Sequence, residues 1–224
     1  MESITIDKII RSKRRTVSIE VHPRGEVIVR APKRASKQDI NDFIEDKIQW
    51  IKKTLLRFKN HFPKIEEKKF ITDEQFLYLG NSYPLQIVDD NHNPFVFDEH
   101  FKVTTTAQPQ AKQLFTTWYQ QKAHEILQER ISHFAPLLAV NYQRMRLSNA
   151  TKRWGSCSAK GSINFNWRLV MAPLPVIDYV VVHELAHLRE MNHSSRFWQL
   201  VGSILPDYAE QRAWLQKFGE ILVL

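Results

Sequence analysis

Val180-Val181-Val182-His183-Glu184-Leu185-Ala186-His187-Leu188-Arg189-Glu190-Met191-Asn192-His193 is the stretch whose reading decides the fold. It holds H-E-x-x-H with a third His six residues on. Residues four apart share one face of a helix, about 5–6 Å apart at Cβ. His183 and His187 can therefore aim two imidazoles at one ion, and zinc takes such nitrogens at about 2.0–2.1 Å. Glu184 sits about 100° round the helix from His183. It can stand beside the ion and take a proton from a water there without being a ligand. Val176, Ile177, Tyr179, Val180, Val181, Val182, Leu185, Ala186 and Leu188 make this helix apolar nearly all round, which predicts burial. Polar groups on a buried helix need partners, and a metal supplies one.

His193 is the expected third ligand, with a carboxylate from elsewhere as its competitor. A straight helix would carry it about 240° round and about 9 Å beyond His187. The helix must therefore end between the two and the chain turn back. Asn192 tolerates left-handed geometry, and Ser194 or Ser195 can cap a new helix.

Working outward, Pro173 and Pro175 start the metal helix. Before them, Met145 and Leu147 suggest a strand, and Arg153-Trp154-Gly155-Ser156-Cys157-Ser158 leads to a turn at Ala159-Lys160-Gly161. Ile163, Phe165, Trp167 and Leu169 then alternate with Ser162, Asn164, Asn166 and Arg168, as in a hairpin strand. Such a hairpin can offer a free edge to an extended peptide, or be an ordinary half-buried ribbon. Cys157, the single cysteine, reads as a small buried hydrophobe. Phe115, Trp118, Tyr119, Ala123, Ile126, Leu127, Ile131 and Phe134 form one helical stripe between about Gln110 and Phe134. After His193, two short helices are predicted, the last opened by Asp207 with Glu210.

The N-terminal part is richer in strands. Ile4-Thr5-Ile6 reads as a short strand, and Val17, Ile19 and Val21 alternate before a Pro23-Arg24-Gly25 turn and a return through Val27 and Val29. Ser36, with Asp39 three on, opens a helix whose stripe is Ile40, Phe43, Ile44, Ile48, Ile51, Leu55 and Phe58. A second hairpin turns at Gly80-Asn81, and short strands follow near 95–98 and 101–105. His92, His100, His124 and His133 have no partner at ligand spacing and read as surface residues. The expected fold class is α+β. A β-rich region over 1–106, with a helix at 36–59, precedes a metal-binding region over 107–224.

The chain has 224 residues, with 32 Lys and Arg against 24 Asp and Glu, a net charge of +8. That balance favours anionic partners. The positive charges read as spread along the chain, so nucleic acid is an admissible partner rather than the favoured one. One cysteine allows no internal disulfide, which fits a reducing cytoplasm. No apolar run approaches the 18 residues of a membrane span, and the N-terminus lacks a signal-peptide plan.

Several stretches together resemble the YgjP-like metallopeptidase family. They are the Arg14-Arg15…Pro23-Arg24-Gly25-Glu26-Val27 hairpin, Arg153-Trp154-Gly155-Ser156-Cys157-Ser158, Asn164-Phe165-Asn166-Trp167-Arg168, and Asp178-Tyr179 through His193-Ser194…Phe197-Trp198. The resemblance implies a zincin-like α+β catalytic half, similar to that of SprT-like proteases. It also implies metal on His183, His187 and His193, with Glu184 as the catalytic carboxylate. The His spacing matches the metzincins too, but those carry Gly where this chain has Glu190, so the turn into His193 must differ. Both peptidase and UTP pyrophosphatase activity are associated with the family.

The resulting expectation is a zinc-dependent hydrolase of the metallopeptidase type, in which Glu184 is general base for a metal-activated water. Arg153, Trp154, Ser156, Asn164 and Arg168 are candidate substrate residues, with Arg153 and Arg168 as possible oxyanion donors. The rival enzyme reading is a nucleoside triphosphate pyrophosphatase, its phosphates held by Arg11, Lys13, Arg14, Arg15, Lys152, Arg153 and Lys160. No Walker A loop is present to hold them instead. A non-enzyme reading is a nucleic-acid-binding module with a structural metal, though structural zinc usually has four protein ligands.

Overall fold

The computed structural model describes residues 5–21, 26–61, 67–89 and 93–224. Two compact units divide between Glu66 and Glu67. The turn at Pro23-Arg24-Gly25 and His92 lie outside the described residues.

In the first unit, β1 (Lys8–Ser12) and β2 (Ser18–Val21) flank β3 (Val27–Pro32). β2 runs antiparallel to β3, as the alternation of Val17, Ile19 and Val21 predicts. Of the strand expected at Ile4-Thr5-Ile6, Ile4 lies outside the described residues and Thr5 and Ile6 are not in a strand; β1 begins at Lys8 and pairs parallel to β3. It lies at the sheet edge, mostly exposed, so backbone pairing forms it without an alternating apolar pattern to betray it. α1 (Lys37–His61) starts at a reciprocal cap. Asp39 N–H donates to Ser36 Oγ at 3.0 Å, and Ser36 N–H donates to Asp39 Oδ2 at 3.0 Å. Val29, Ala31 and Ile40 form a small core.

The second unit has one large core. β4 (Gln75–Tyr78), β5 (Asn81–Val88), β6 (Phe95–Phe97) and β7 (Phe101–Thr104) make a sheet of order β4-β5-β7-β6. Its β4–β5 turn is Leu79-Gly80, one residue earlier than expected. Both residues have positive φ, 49° and 82°, which is the twist a two-residue hairpin needs. This sheet packs on the long α2 (Ala111–Leu137). The ring of Phe115 lies 4.2 Å from that of Phe76 and 4.8 Å from that of Phe101, and Tyr119 Oη donates to Leu77 O at 2.6 Å. The sheet thus shares its core with α2, and the boundary expected at 106/107 falls inside the second unit.

A second sheet holds β8 (Arg144–Ser148), β9 (Gly155–Cys157) and β10 (Ser162–Asn166), in the order β8-β10-β9. The predicted alternation through Trp167 and Leu169 stops at Asn166. Residues Trp167–Met171 form a 3₁₀ turn capped by Asn166, whose side chain accepts from Arg168 N–H at 3.0 Å. A short polar side chain at the strand end competes for that backbone donor, which no count of apolar period registers. α3 (Leu174–Ala186), α4 (Ser195–Ile204) and α5 (Tyr208–Phe218) complete the unit. No described helix is long and apolar enough to cross a membrane.

Candidate metal centre

α3 is buried as its sequence predicts, with Val176, Ile177, Val180, Val181, Val182, Leu185 and Ala186 at most 4% exposed. α2 holds its N-terminal half, and the residue after α2 holds the chain just beyond its end. Arg130 Nε and Nη2 donate to the two Asp178 oxygens at 2.6 and 3.0 Å, and Arg189 Nη1 donates to Leu138 O at 3.2 Å.

The helix ends at Ala186, and short-range bonds tighten the chain after it. Leu188 N–H donates to Leu185 O, and the N–H groups of Arg189 and Glu190 both donate to Ala186 O, each at 3.0 Å. No left-handed residue is needed: Asn192 has negative φ, against the sequence expectation. Ser194 then caps α4, its Oγ accepting from Phe197 N–H at 3.4 Å. This turn swings His193 back to the first two histidines. One ligand-capable atom of each of His183, His187 and His193 lies within 4.8 Å of the others.

The rings show which nitrogens converge. His187 Nδ1 lies 3.0 Å from Glu190 O, so it carries the hydrogen and leaves Nε2 with its lone pair. His183 Nε2 and His193 Nε2 face each other at 3.0 Å. Burial, reinforced by the neighbouring histidines, lowers the His183 pKa to about 3 and also lowers that of His187. Both are neutral at pH 7 and able to donate lone pairs. Phe197 and Trp198 pack against the triad, with the Trp198 ring stacked on His193 at 5.6 Å and on Tyr208 at 5.3 Å. Arg212 lies over Trp198 at 4.9 Å.

Glu184 is 5% exposed. Burial pushes its carboxyl up to about 8, against the pull of Arg153. Neither Glu184 Oε2 nor His183 Nδ1, both shielded from solvent, has a hydrogen-bond partner among the described residues. Three converging imidazoles beside a buried carboxyl group whose Oε2 has no partner among the described residues are a donor set that fits a divalent cation.

The carboxylate lies directly under β9. A Cβ at Gly155 would come within 2.5 Å of Glu184 Cγ and 2.6 Å of Cδ, and closer still to Oε1. Only glycine lets the strand approach so closely. β9 is the last strand of its sheet. Bonds of 3.0 Å from Ser158 N–H to Ser162 O and 2.8 Å from Asn166 N–H to Trp154 O set the phase of the antiparallel ladder. Gly155 and Cys157 are therefore its non-bonded residues, and their N–H and C=O groups point away from β10.

The other candidates divide. Arg153 is exposed, and its charge reaches Glu184. Trp154 is half-buried against Gly219. Ser156 Oγ accepts from Asn164 Nδ2 at 3.3 Å on the sheet face opposite the one that meets Glu184. Arg168 donates to Asn149 Oδ1 at 2.5 Å and lies over the Trp167 ring, so it is committed to structure rather than free as an oxyanion donor. Lys152, Arg153 and Lys160 belong to the second unit, whereas Arg11, Lys13, Arg14 and Arg15 belong to the first. Cys157 is near Glu184, and burial lifts its thiol to about 11. Sequence reading missed Gly155, whose signal was a glycine inside a strand. It also missed Tyr208 and Arg212, which carry no spacing signal.

The sequence matches the family described as YgjP-like, metallopeptidase domain, over residues 15–218. It is 38% identical over 69 residues to the UTP pyrophosphatase of Escherichia coli K12, a match covering 29% of this chain and 41% of that protein. A solved metallopeptidase zymogen, Pyrococcus abyssi abylysin, is 26% identical, with a TM-score of 0.35 over 40% of this chain and 93% of that one.

Proposed function

The chain belongs to the YgjP-like metallopeptidase domain family, and from that premise we propose that it is a zinc-dependent hydrolase cutting peptide bonds. His183, His187 and His193 would hold the ion through their Nε2 atoms. When bound, the ion would supply Lewis acidity and positive charge, lowering the pKa of water towards about 7, polarising the bond under attack and favouring the ionised form of Glu184. Glu184 accepts the proton of the attacking water and returns it to the departing amine, so acid and amine products balance. The α2 grip on α3 holds the carboxylate and imidazoles in register, and the packed face of Phe197 restricts water behind them.

The observation that carries the peptidase reading is that β9, an edge strand among the described residues, lies directly over Glu184. An extended peptide can pair with the outward groups of Gly155 and Cys157, and that brings its backbone to the carboxylate. A nucleoside triphosphate has no use for a strand edge.

A second reading, UTP pyrophosphatase chemistry at the same centre, is favoured by the relative of that name. Arg153, exposed and electrostatically coupled to Glu184, is the cation placed to meet a phosphate. A substrate panel separates the two. Peptide libraries and the four nucleoside triphosphates are incubated with zinc-loaded protein, with and without chelator. The expected outcome is chelator-sensitive peptide cleavage. Chelator-sensitive release of pyrophosphate from UTP, with peptides intact, would overturn the peptidase reading.

A further inference from the structure

The net charge of +8 is not shared between the units. Residues 1–66 hold sixteen Lys and Arg against nine Asp and Glu, a net +7, while residues 67–224 hold sixteen against fifteen. Charge that reads as spread along the chain is therefore concentrated in the smaller unit. Solubility alone would not demand such segregation.

Within that unit the folding gathers the charge further. Arg11-Ser12-Lys13-Arg14-Arg15 and Lys33-Arg34-Ala35-Ser36-Lys37 are some twenty residues apart in sequence. The parallel register sets Ser12 against Pro32, and Lys33 N–H donates to Ser12 O at 3.1 Å. Arg11 Nη1 completes the tie by donating to Lys33 O at 3.2 Å and Ala35 O at 2.6 Å. Two basic segments thus meet at one end of the sheet, beside the start of α1. Lys13, Arg15, Lys33, Arg34 and Lys37 are exposed. Two of the nearby acids are committed: Asp39 caps Ser36, and Glu20 pairs with Arg30 at 2.8 Å. Arg14 is half-buried, and its Nε has no hydrogen-bond partner among the described residues.

An aromatic groove lies beside this cluster. Val17, Ser18, Ile19, Phe43, Lys47 and Trp50 line a cavity of about 390 Å³ between β2 and α1. Trp50 is 49% exposed, unusual for so large an apolar ring. Val17 follows Arg15 by two residues, so cluster and groove are contiguous, and Lys47 places a further cation in the groove itself.

We infer that this unit docks single-stranded nucleic acid. Phosphates would lie along Lys13, Arg14, Arg15, Arg34 and Lys37, and a base would enter the groove against Trp50 and Phe43. A basic track next to an aromatic platform is the arrangement that binds single strands. A membrane surface would be met by a protruding apolar wedge, whereas Trp50 here walls a concavity. An acidic peptide would use the charges but leave the aromatic groove idle. The inference is independent of the chemistry at the histidines.

The test uses the full chain and fluorescein-labelled 15-nucleotide RNA and DNA, followed by anisotropy. Binding is expected with either sugar as backbone, and the two arms report which is preferred. The logarithm of the association constant should fall with that of salt at a slope of about −3, as for four phosphates neutralised on a single strand. Replacing Lys13, Arg15 and Arg34 together by Gln should flatten that slope by about 2. All three are exposed, so the fold should survive, which circular dichroism verifies. Trp50→Ala should weaken binding about five- to hundredfold, and Trp50→Phe should restore most of it. Equal binding of polyglutamate or of phosphatidylserine vesicles in competition would overturn the inference in favour of a general anion surface. Unchanged affinity in both the triple variant and Trp50→Ala would overturn it outright.

Discussion

At the residue scale the proposed function divides the centre into groups that would hold the ion and a group that would react. Glu184→Gln keeps the shape and removes the acceptor for a proton. Turnover should fall by about 10²–10⁴-fold, with zinc content and melting temperature near wild type. Zinc lost together with activity would instead make Glu184 a ligand. His187→Ala should lose most of the metal, since the ring whose Nδ1 is set by Glu190 O would supply one of the three proposed ligands. Full occupancy by elemental analysis would refute the ligand set. Gly155 gives a sharper test, because it touches the site only through space. Gly155→Ala puts a methyl where Glu184 now sits. Overpacking should cost about 1–3 kcal/mol, and a carboxylate displaced by an ångström about a hundredfold in rate, while metal content stays unchanged. Wild-type turnover in that variant would mean the strand does not fix the carboxylate. The glycine was visible in the sequence, but its neighbour, nearly thirty residues away, was not.

At the element scale, α3 is set by α2 more than by its own caps. No side-chain cap bond closes the N-terminal end of α3, which Pro173 starts. The Arg130–Asp178 pair is largely buried, with side-chain exposures of 18% and 14%. Burial raises the Asp178 pKa while Arg130 pulls it down, so the carboxylate depends on its partner. Arg130→Met should destabilise the fold by about 1–3 kcal/mol, less than the ~3–5 of a fully buried pair. Urea unfolding measures this. A double change that also makes Asp178→Leu should recover part of the loss, because no uncompensated charge then remains. An unchanged midpoint in the single variant would show that the pair does not hold the helix. Helices were legible here because an apolar stripe at period 3.6 needs no knowledge of its neighbour. β1 was not, since an exposed edge strand is formed by backbone bonds and asks little of its side chains.

At the scale of the whole molecule, the two units have separate cores. Residues 67–224, expressed alone, should therefore fold cooperatively and load metal as the full chain does. They include every group of the histidine centre together with Phe197 and Trp198, which pack against it. An aggregated fragment, or one that loads metal poorly, would show that the first unit is needed for the second to fold. Charge is divided along the same line: a nearly neutral catalytic candidate follows a strongly basic unit.

Residue spacing by itself determined that His183 and His187 share a helical face, that this helix is buried, and that the chain must turn before His193 if the third ring is to join them. Those conclusions follow from helical geometry and solvent aversion, which act locally. The tertiary structure decided what no local rule could reach. Short-range bonds after Ala186, rather than a left-handed Asn192, make the turn. Gly155 passes over Glu184, and Ser12 meets Lys33 to join two basic segments. The last two are contacts between residues distant in sequence, chosen by how strands and helices pack together, and a one-dimensional pattern records only what each element buries, not against what.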